Sequence, residues 1–124
     1  MSVAVTVIES DTDGVTHFRD VTIDLVDQPF APPAPPLAVS ATIPAAAGVF
    51  FRMPAGWFGD WHPAPLHQYY VQTTGTLEVT VGDGEVRILR PGAVVLLEDL
   101  DGRGHRTRVV GDEDVCGVFV QLRA

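Results

Sequence analysis

A chain of 124 residues suits one folded domain and can bury about two-thirds of its unfolded surface. With 46% apolar residues it is not disordered. Its net charge of −8 is carried against eight arginines and no lysine, with no arginine cluster, so it lacks the basic face that nucleic acid or an anionic membrane requires. No apolar run nears the ~20 residues of a membrane span. The N-terminal MSVAVTVIESDTDG has neither the basic start nor the apolar centre of an export signal, so the expected location is cytoplasmic. The single cysteine, Cys116, sits in the apolar run VCGVFVQL and reads as a buried, inert thiol.

In chain order, residues 2–8 alternate apolar with small or polar side chains and predict a strand. Asp11 to Gly14 is a turn cluster. THFRDVTIDLVDQ predicts a second extended stretch, with one face buried from Val21 onward. Residues 29–36, PFAPPAPP, predict extended polyproline-like chain crossing the surface, because proline fixes φ and removes donors. Strands are expected over 37–43, 49–53 and 67–73. LEVTV and EVRIL form a hairpin through Gly82-Asp83-Gly84. A Pro-Gly turn leads to a strand at 93–98, DLDGRGH forms a loop, and TRVV and VCGVFVQL close the chain as strands. About ten short strands, with little or no helix and a turn signal every 8–12 residues or so, predict an all-β sandwich or barrel.

The densest concentration of rings and polar groups is GWFGDWHPAPLHQYYVQTTG, from Gly56 to Gly75. Gly56, His62 and Gly75 fall on the spacing G-x5-H-x-H-x3-E-x6-G, with Ala64 and Gln68 at the second histidine and the glutamate. Gly92, Gly102 and His105 match the ends of a second pattern, G-x5-P-x-G-x2-H-x3-N. There Leu100 replaces the proline, Val109 replaces the asparagine, and the spacing gains two residues. The chain resembles the cupin family on these motifs. It looks most like a group of small bacterial cupins with W-H-x-A-P-x-x-Q (Trp61 to Gln68) and E-D-x-x-G-x-G-H (Glu98 to His105) signatures. The likeness reaches into the FRDV and APPAPP segments.

That resemblance implies a jelly-roll barrel, the double-stranded β-helix. It would be one domain, with N-terminal strands and a proline-rich crossing segment over 1–45 and the barrel motifs over 46–124. Cupins of this type are commonly dimers, so a homodimer is expected. The fold hosts isomerases, oxygenases, cyclases, lyases and binding proteins, so it does not choose the function.

A typical cupin holds a divalent metal (iron, manganese, nickel, copper or zinc) with three histidines and a glutamate. The comparable positions here leave His62, Gln68 and His105, with no anionic ligand, which favours a polar pocket over a metal cage. Strand periodicity puts Gln68, Tyr70 and Gln72 on one face, with His67 on the other. With His62 and His105 these would line a small-molecule pocket. Histidine is the residue type suited to acid/base catalysis at neutral pH, so either could serve without a metal. Trp57 and Trp61 offer rings for stacking on a substrate. Glu98 or Asp99 could orient His105, although a solvated loop charge is the simpler reading of both. The expected function is isomerase, cyclase or lyase chemistry on a small organic molecule. The alternatives are a non-catalytic binding barrel and a metal-dependent oxygenase.

Overall fold

The computed structural model describes residues 1–123 as twelve β-strands in three sheets. The strands are β1 (Ser2–Ser10), β2 (Thr16–Asp24), β3 (Val26–Gln28), β4 (Leu37–Val39), β5 (Ala45–Met53) and β6 (Phe58–His62), then β7 (Gln68–Thr74), β8 (Thr76–Thr80), β9 (Val86–Leu89), β10 (Val94–Leu97), β11 (His105–Val110) and β12 (Val115–Leu122). One sheet runs β2-β1-β10-β7-β12-β5, the second runs β6-β11-β8-β9, and β3 pairs with β4 alone.

The last eight strands divide equally between the two large sheets, changing sheet at every step except the β8–β9 hairpin, giving β10-β7-β12-β5 facing β6-β11-β8-β9. That is jelly-roll topology, an arrangement that double-sheet barrels of this type share with capsid and lectin domains. The all-β expectation holds. β1 and β2 widen the first sheet, β1 lying parallel to β10 with Thr6 opposite Val95. The core lies between the two sheets, where Leu77, Val79, Val81, Val95 and Val115 are buried.

Alternation sets what each strand sends inward. Val95, Tyr70, Phe119 and Val49 are successive cross-strand neighbours over β10, β7, β12 and β5, and all four line the central cavity. Their sequence neighbours form the outer face.

Besides the strand expected over 37–43, which shortens to Leu37–Val39, three local expectations change. THFRDVTIDLVDQ is broken at Leu25, where its backbone N–H donates to the Met1 carbonyl and the chain leaves the edge of the sheet. Beyond that break, 29–36 is no straight crossing: Ala34 N–H donates to Ala31 O, a turn that doubles the chain back and lets β3 and β4 pair. The third change is β6, which the sequence hid because Gly59 and Asp60 interrupt any apolar alternation.

Candidate functional site

Between the two sheets is a cavity of about 450 Å³, within the range of small-molecule sites. β6 brings His62 to it and β11 brings His105. The two residues are Cα partners across the antiparallel β6–β11 pair, and their rings lie 4.7 Å apart between centroids. This approach depends on Gly104. Its φ is +80°, and a Cβ there would collide with the His62 carbonyl, so only glycine lets the 99–104 loop hand His105 to β11 at this spacing.

Each imidazole is anchored through one nitrogen. His62 Nδ1–H donates to the Asp60 carbonyl at 2.6 Å. A carbonyl only accepts, so the neutral ring carries its lone pair on Nε2. His105 Nδ1 is 2.6 Å from Oδ2 of Asp99, a carboxylate with no solvent exposure. The reading of Asp99 as a solvated loop charge is therefore corrected. Its backbone carbonyl also accepts from Ala64 N–H, which folds the loop inward over the first motif. Glu98 faces the other way and pairs with His67 at 2.9 Å, so His67 points away from the cavity. Neither His62 Nε2 nor His105 Nε2 hydrogen-bonds another described residue, and both histidines line the cavity.

β7 supplies the next groups. Gln68 is 4% exposed and lines the cavity, and its side-chain amide meets no protein partner among the described residues. Tyr70 lines the cavity too, and its hydroxyl donates to Gln72 Oε1 at 2.7 Å. Burial pushes the Tyr70 phenol far above its usual range, so it remains a donor. Gln72 shares the inward face, as the alternation predicts, but it does not line the cavity. Its amide nitrogen donates to Gly75 O at 2.8 Å and Leu89 O at 3.0 Å, so its hydrogen-bonding groups are committed to the wall. Periodicity gives the face of a strand and not the depth along the barrel axis.

Of the two tryptophans, Trp57 lines the cavity. Trp61 does not. It is adjacent to His62 on β6 and so projects outward, where Arg103 lies 4.0 Å and Arg106 5.1 Å from its ring centroid. A stacking role for Trp61 inside the cavity is thus not available.

Sequence reasoning did not single out Thr107, Phe51 or Phe119. Thr107 lies two residues past His105 on β11, so the same alternation would have found it. Its buried Oγ1 has no partner among the described residues, and the residue lines the cavity. Phe51 stacks on Tyr70 at 5.3 Å and packs against Phe119 at 4.7 Å, forming an aromatic wall. The cavity therefore has an apolar, ring-lined body, with His62, Gln68, His105 and Thr107 as polar groups converging on it.

A divalent metal would meet His62 Nε2, His105 Nε2 and the Gln68 carbonyl oxygen. Ala64 offers no donor, and Asp99 is held behind His105 on Nδ1. Among the described residues no group of three or more His, Cys, Asp or Glu side chains is placed to hold a metal ion. Two imidazoles and a neutral amide bring no anionic ligand, so the donor set does not fit a resident divalent cation.

The strand order of the two sheets, with both motif histidines brought to one cavity, decides the architecture. The fold is a double-sheet jelly-roll barrel. No family model matches the chain, and no curated protein matches it in sequence. Among solved structures, the cupin domain of Cnp3 from Schizosaccharomyces pombe is similar at 16% identity, with a TM-score of 0.49, over 98% of this chain and 84% of that one. Protein NMB1881 from Neisseria meningitidis is similar at 16% identity, with a TM-score of 0.44, over 61% of this chain and 72% of that one. Among the described residues no helix is long and apolar enough to cross a membrane.

Proposed function

We propose that this cupin-type barrel binds a small organic carbonyl compound and acts on it by acid/base chemistry of the isomerase, cyclase or lyase kind. The observation that carries the reading is the pair of adjacent histidines, each fixed through Nδ1 and each leaving Nε2 to the cavity. On an enolisable carbonyl compound, reactions of these three kinds can begin with the same step, removal of a proton next to the carbonyl. His62 Nε2, an acceptor, takes that proton. The C–H electron pair forms a C=C bond, and the carbonyl oxygen becomes an enolic oxygen. His105 Nε2–H and the Gln68 amide donate to that oxygen as its charge develops. Asp99 stabilises the positive charge that His105 carries as a donor. The apolar walls hold the carbon skeleton and exclude water. A lone Cys116 with no disulfide partner suits a reducing, cytoplasmic setting.

The test is deuterium uptake from heavy water at the α-carbon of a panel of small cyclic hydroxy-ketones and β-diketones, followed by mass spectrometry. The intact protein should accelerate uptake for a subset, and His62→Ala should slow it by about 10²-fold or more. Binding without uptake would favour the non-catalytic carrier. Binding and uptake both untouched in His62→Ala and His105→Ala would remove the cavity histidines from the function altogether.

A further inference from the structure

Two buried side-chain oxygens have no partner among the described residues. One is Asp99 Oδ1, in the loop behind His105. The other is Thr107 Oγ1, on a residue that is 7% exposed, lines the cavity and has no part in the acid/base step. A buried hydroxyl without a partner costs free energy, and the fold gains nothing from it. An apolar side chain suits this face of β11, because Val109, two residues on, is 4% exposed in the core. Thr107 therefore carries a hydroxyl where packing alone would take a valine.

Its surroundings explain why no protein group reaches it. The cross-strand neighbours of Thr107 are Gly59 on β6 and Val79 on β8, and neither has a polar side chain. A Cβ on Gly59 would collide with the Trp57 ring and would lie 3.0 Å from Thr107 Oγ1, so the glycine leaves room for both. The hydroxyl thus sits beside Trp57, which extends the aromatic wall of Phe51 and Phe119 in the cavity. A two-residue step along β11, about 6–7 Å, separates Thr107 from His105.

We propose that Thr107 Oγ1 is a second polar subsite, which selects ring-bearing ketones that carry a further oxygen on the side of the ring remote from the reacting carbonyl. The proposal rests on the acid/base reading for the place of the first oxygen, at His105 and Gln68. The second oxygen meets Thr107 while the ring lies against Trp57, Phe51 and Phe119. A ligand hydroxyl can donate to Oγ1 or accept from it, since a threonine hydroxyl does both. A ligand lacking that oxygen leaves Thr107 unpaired, and a site built to hydrogen-bond a hydroxyl discriminates against such an analogue. The two-residue step of about 6–7 Å along β11 suits a hydroxyl para to the carbonyl across an aromatic ring. A cavity of about 450 Å³ admits a bicyclic skeleton.

Two matched probes test the proposal. 1-Tetralone and 6-hydroxy-1-tetralone share the ring and the enolisable ketone and differ by one para hydroxyl. Titration calorimetry on the full chain should find the hydroxy-ketone bound about tenfold tighter or more. In Thr107→Val the ratio of the two dissociation constants should fall to near one, and Thr107→Ser should keep it. Without ligand, Thr107→Val should melt a few degrees above the wild type, because the unpaired hydroxyl is gone. Equal affinities in the wild type, or a ratio that survives Thr107→Val, overturn the subsite. So does a lowered melting temperature, which would give the hydroxyl a partner within the fold, and so does binding of neither ketone. Deuterium uptake separates this proposal from the acid/base reading. Uptake on other ketones that His62→Ala abolishes keeps that reading when the subsite fails. Selective binding of the hydroxy-ketone with no uptake on any ketone keeps the subsite when that reading fails.

Discussion

His105 Nδ1 and Asp99 Oδ2 lie 2.6 Å apart, with the carboxylate fully enclosed and its second oxygen, Oδ1, without a partner among the described residues. A carboxylate held in this way fixes which ring nitrogen carries the proton and turns Nε2 to the cavity. Asp99→Asn keeps the shape but removes the negative charge that supports His105 as a doubly protonated, cationic donor. Deuterium uptake should fall by about a hundredfold or more while the melting temperature stays near that of wild type. Asp99→Ala should also cost about 2–3 kcal/mol of stability, because the imidazole is left unpaired in a buried site. Equal loss of stability in both variants, with no change in the pH profile of uptake, would reduce Asp99 to a packing residue.

Two glutamines on one strand face should behave differently. Gln72 is 1% exposed, donates twice and accepts once, all within the wall. Gln72→Ala strands the Tyr70 hydroxyl and two backbone carbonyls and opens a void, at a cost of about 3 kcal/mol in urea unfolding. Gln68 has a buried amide with no described protein partner, so Gln68→Ala should cost less than about 1 kcal/mol and should weaken ligand binding. The reverse ranking would mean that Gln68 is structural.

The all-β class and most strands were legible because alternation and turn residues are local signals. The hairpin through Gly82 to Gly84 has Leu77 opposite Leu89, as those signals imply. The meeting of His62 and His105 was legible only through motif spacing, since nothing local pairs β6 with β11. Asp114 shows the opposite limit. In sequence it only closes the acidic run Asp112-Glu113-Asp114, yet it accepts from Arg52 Nε at 2.6 Å and from Ala55 N–H at 2.9 Å, tying the turn before β12 to the end of β5. Such pairings join residues far apart in sequence, and composition carries no trace of them. Gln72 and Trp61 divide similarly: periodicity gave the face of each strand, while depth and sheet packing decided what that face met.

Gly104 is where the site can be broken without touching a functional group. Its positive φ and its closeness to the His62 backbone leave no room for a methyl. Gly104→Ala must push the loop away from β6, which separates the two imidazoles and opens Asp99 to water. Ligand-dependent signals should disappear and urea unfolding should show a loss of about 2 kcal/mol or more. Gly84→Ala is the comparison: it also has a positive φ, but nothing lies near its missing Cβ. It should cost about 1 kcal/mol, with the cavity intact. If the two variants behave alike, backbone strain and not the close approach to His62 explains Gly104.

His17 should give the barrel a pH-dependent clamp far from the cavity. Its Nε2 lies 2.8 Å from Asp11 and its Nδ1 2.8 Å from Asp83, joining the β1–β2 turn to the β8–β9 turn. Hydrogen bonds to Asp11 and then Asp83 raise its pKa above the ordinary 6.5. Its hydrogen bond to His17 is the main cause of Asp11's fall below 3.8, while the Glu85 backbone N–H is the main cause of Asp83's. A raised imidazole pKa contributes stability that is complete below about 6.5 and is lost as pH rises through the higher folded value. The depressed carboxylates contribute above 3.8 and lose that contribution as pH falls. The gap in melting temperature between wild type and His17→Gln should therefore be widest between those limits and should close on the alkaline side. Because the three groups are exposed, added salt should narrow it. A gap that stays constant into alkaline pH would show that His17 acts through packing alone.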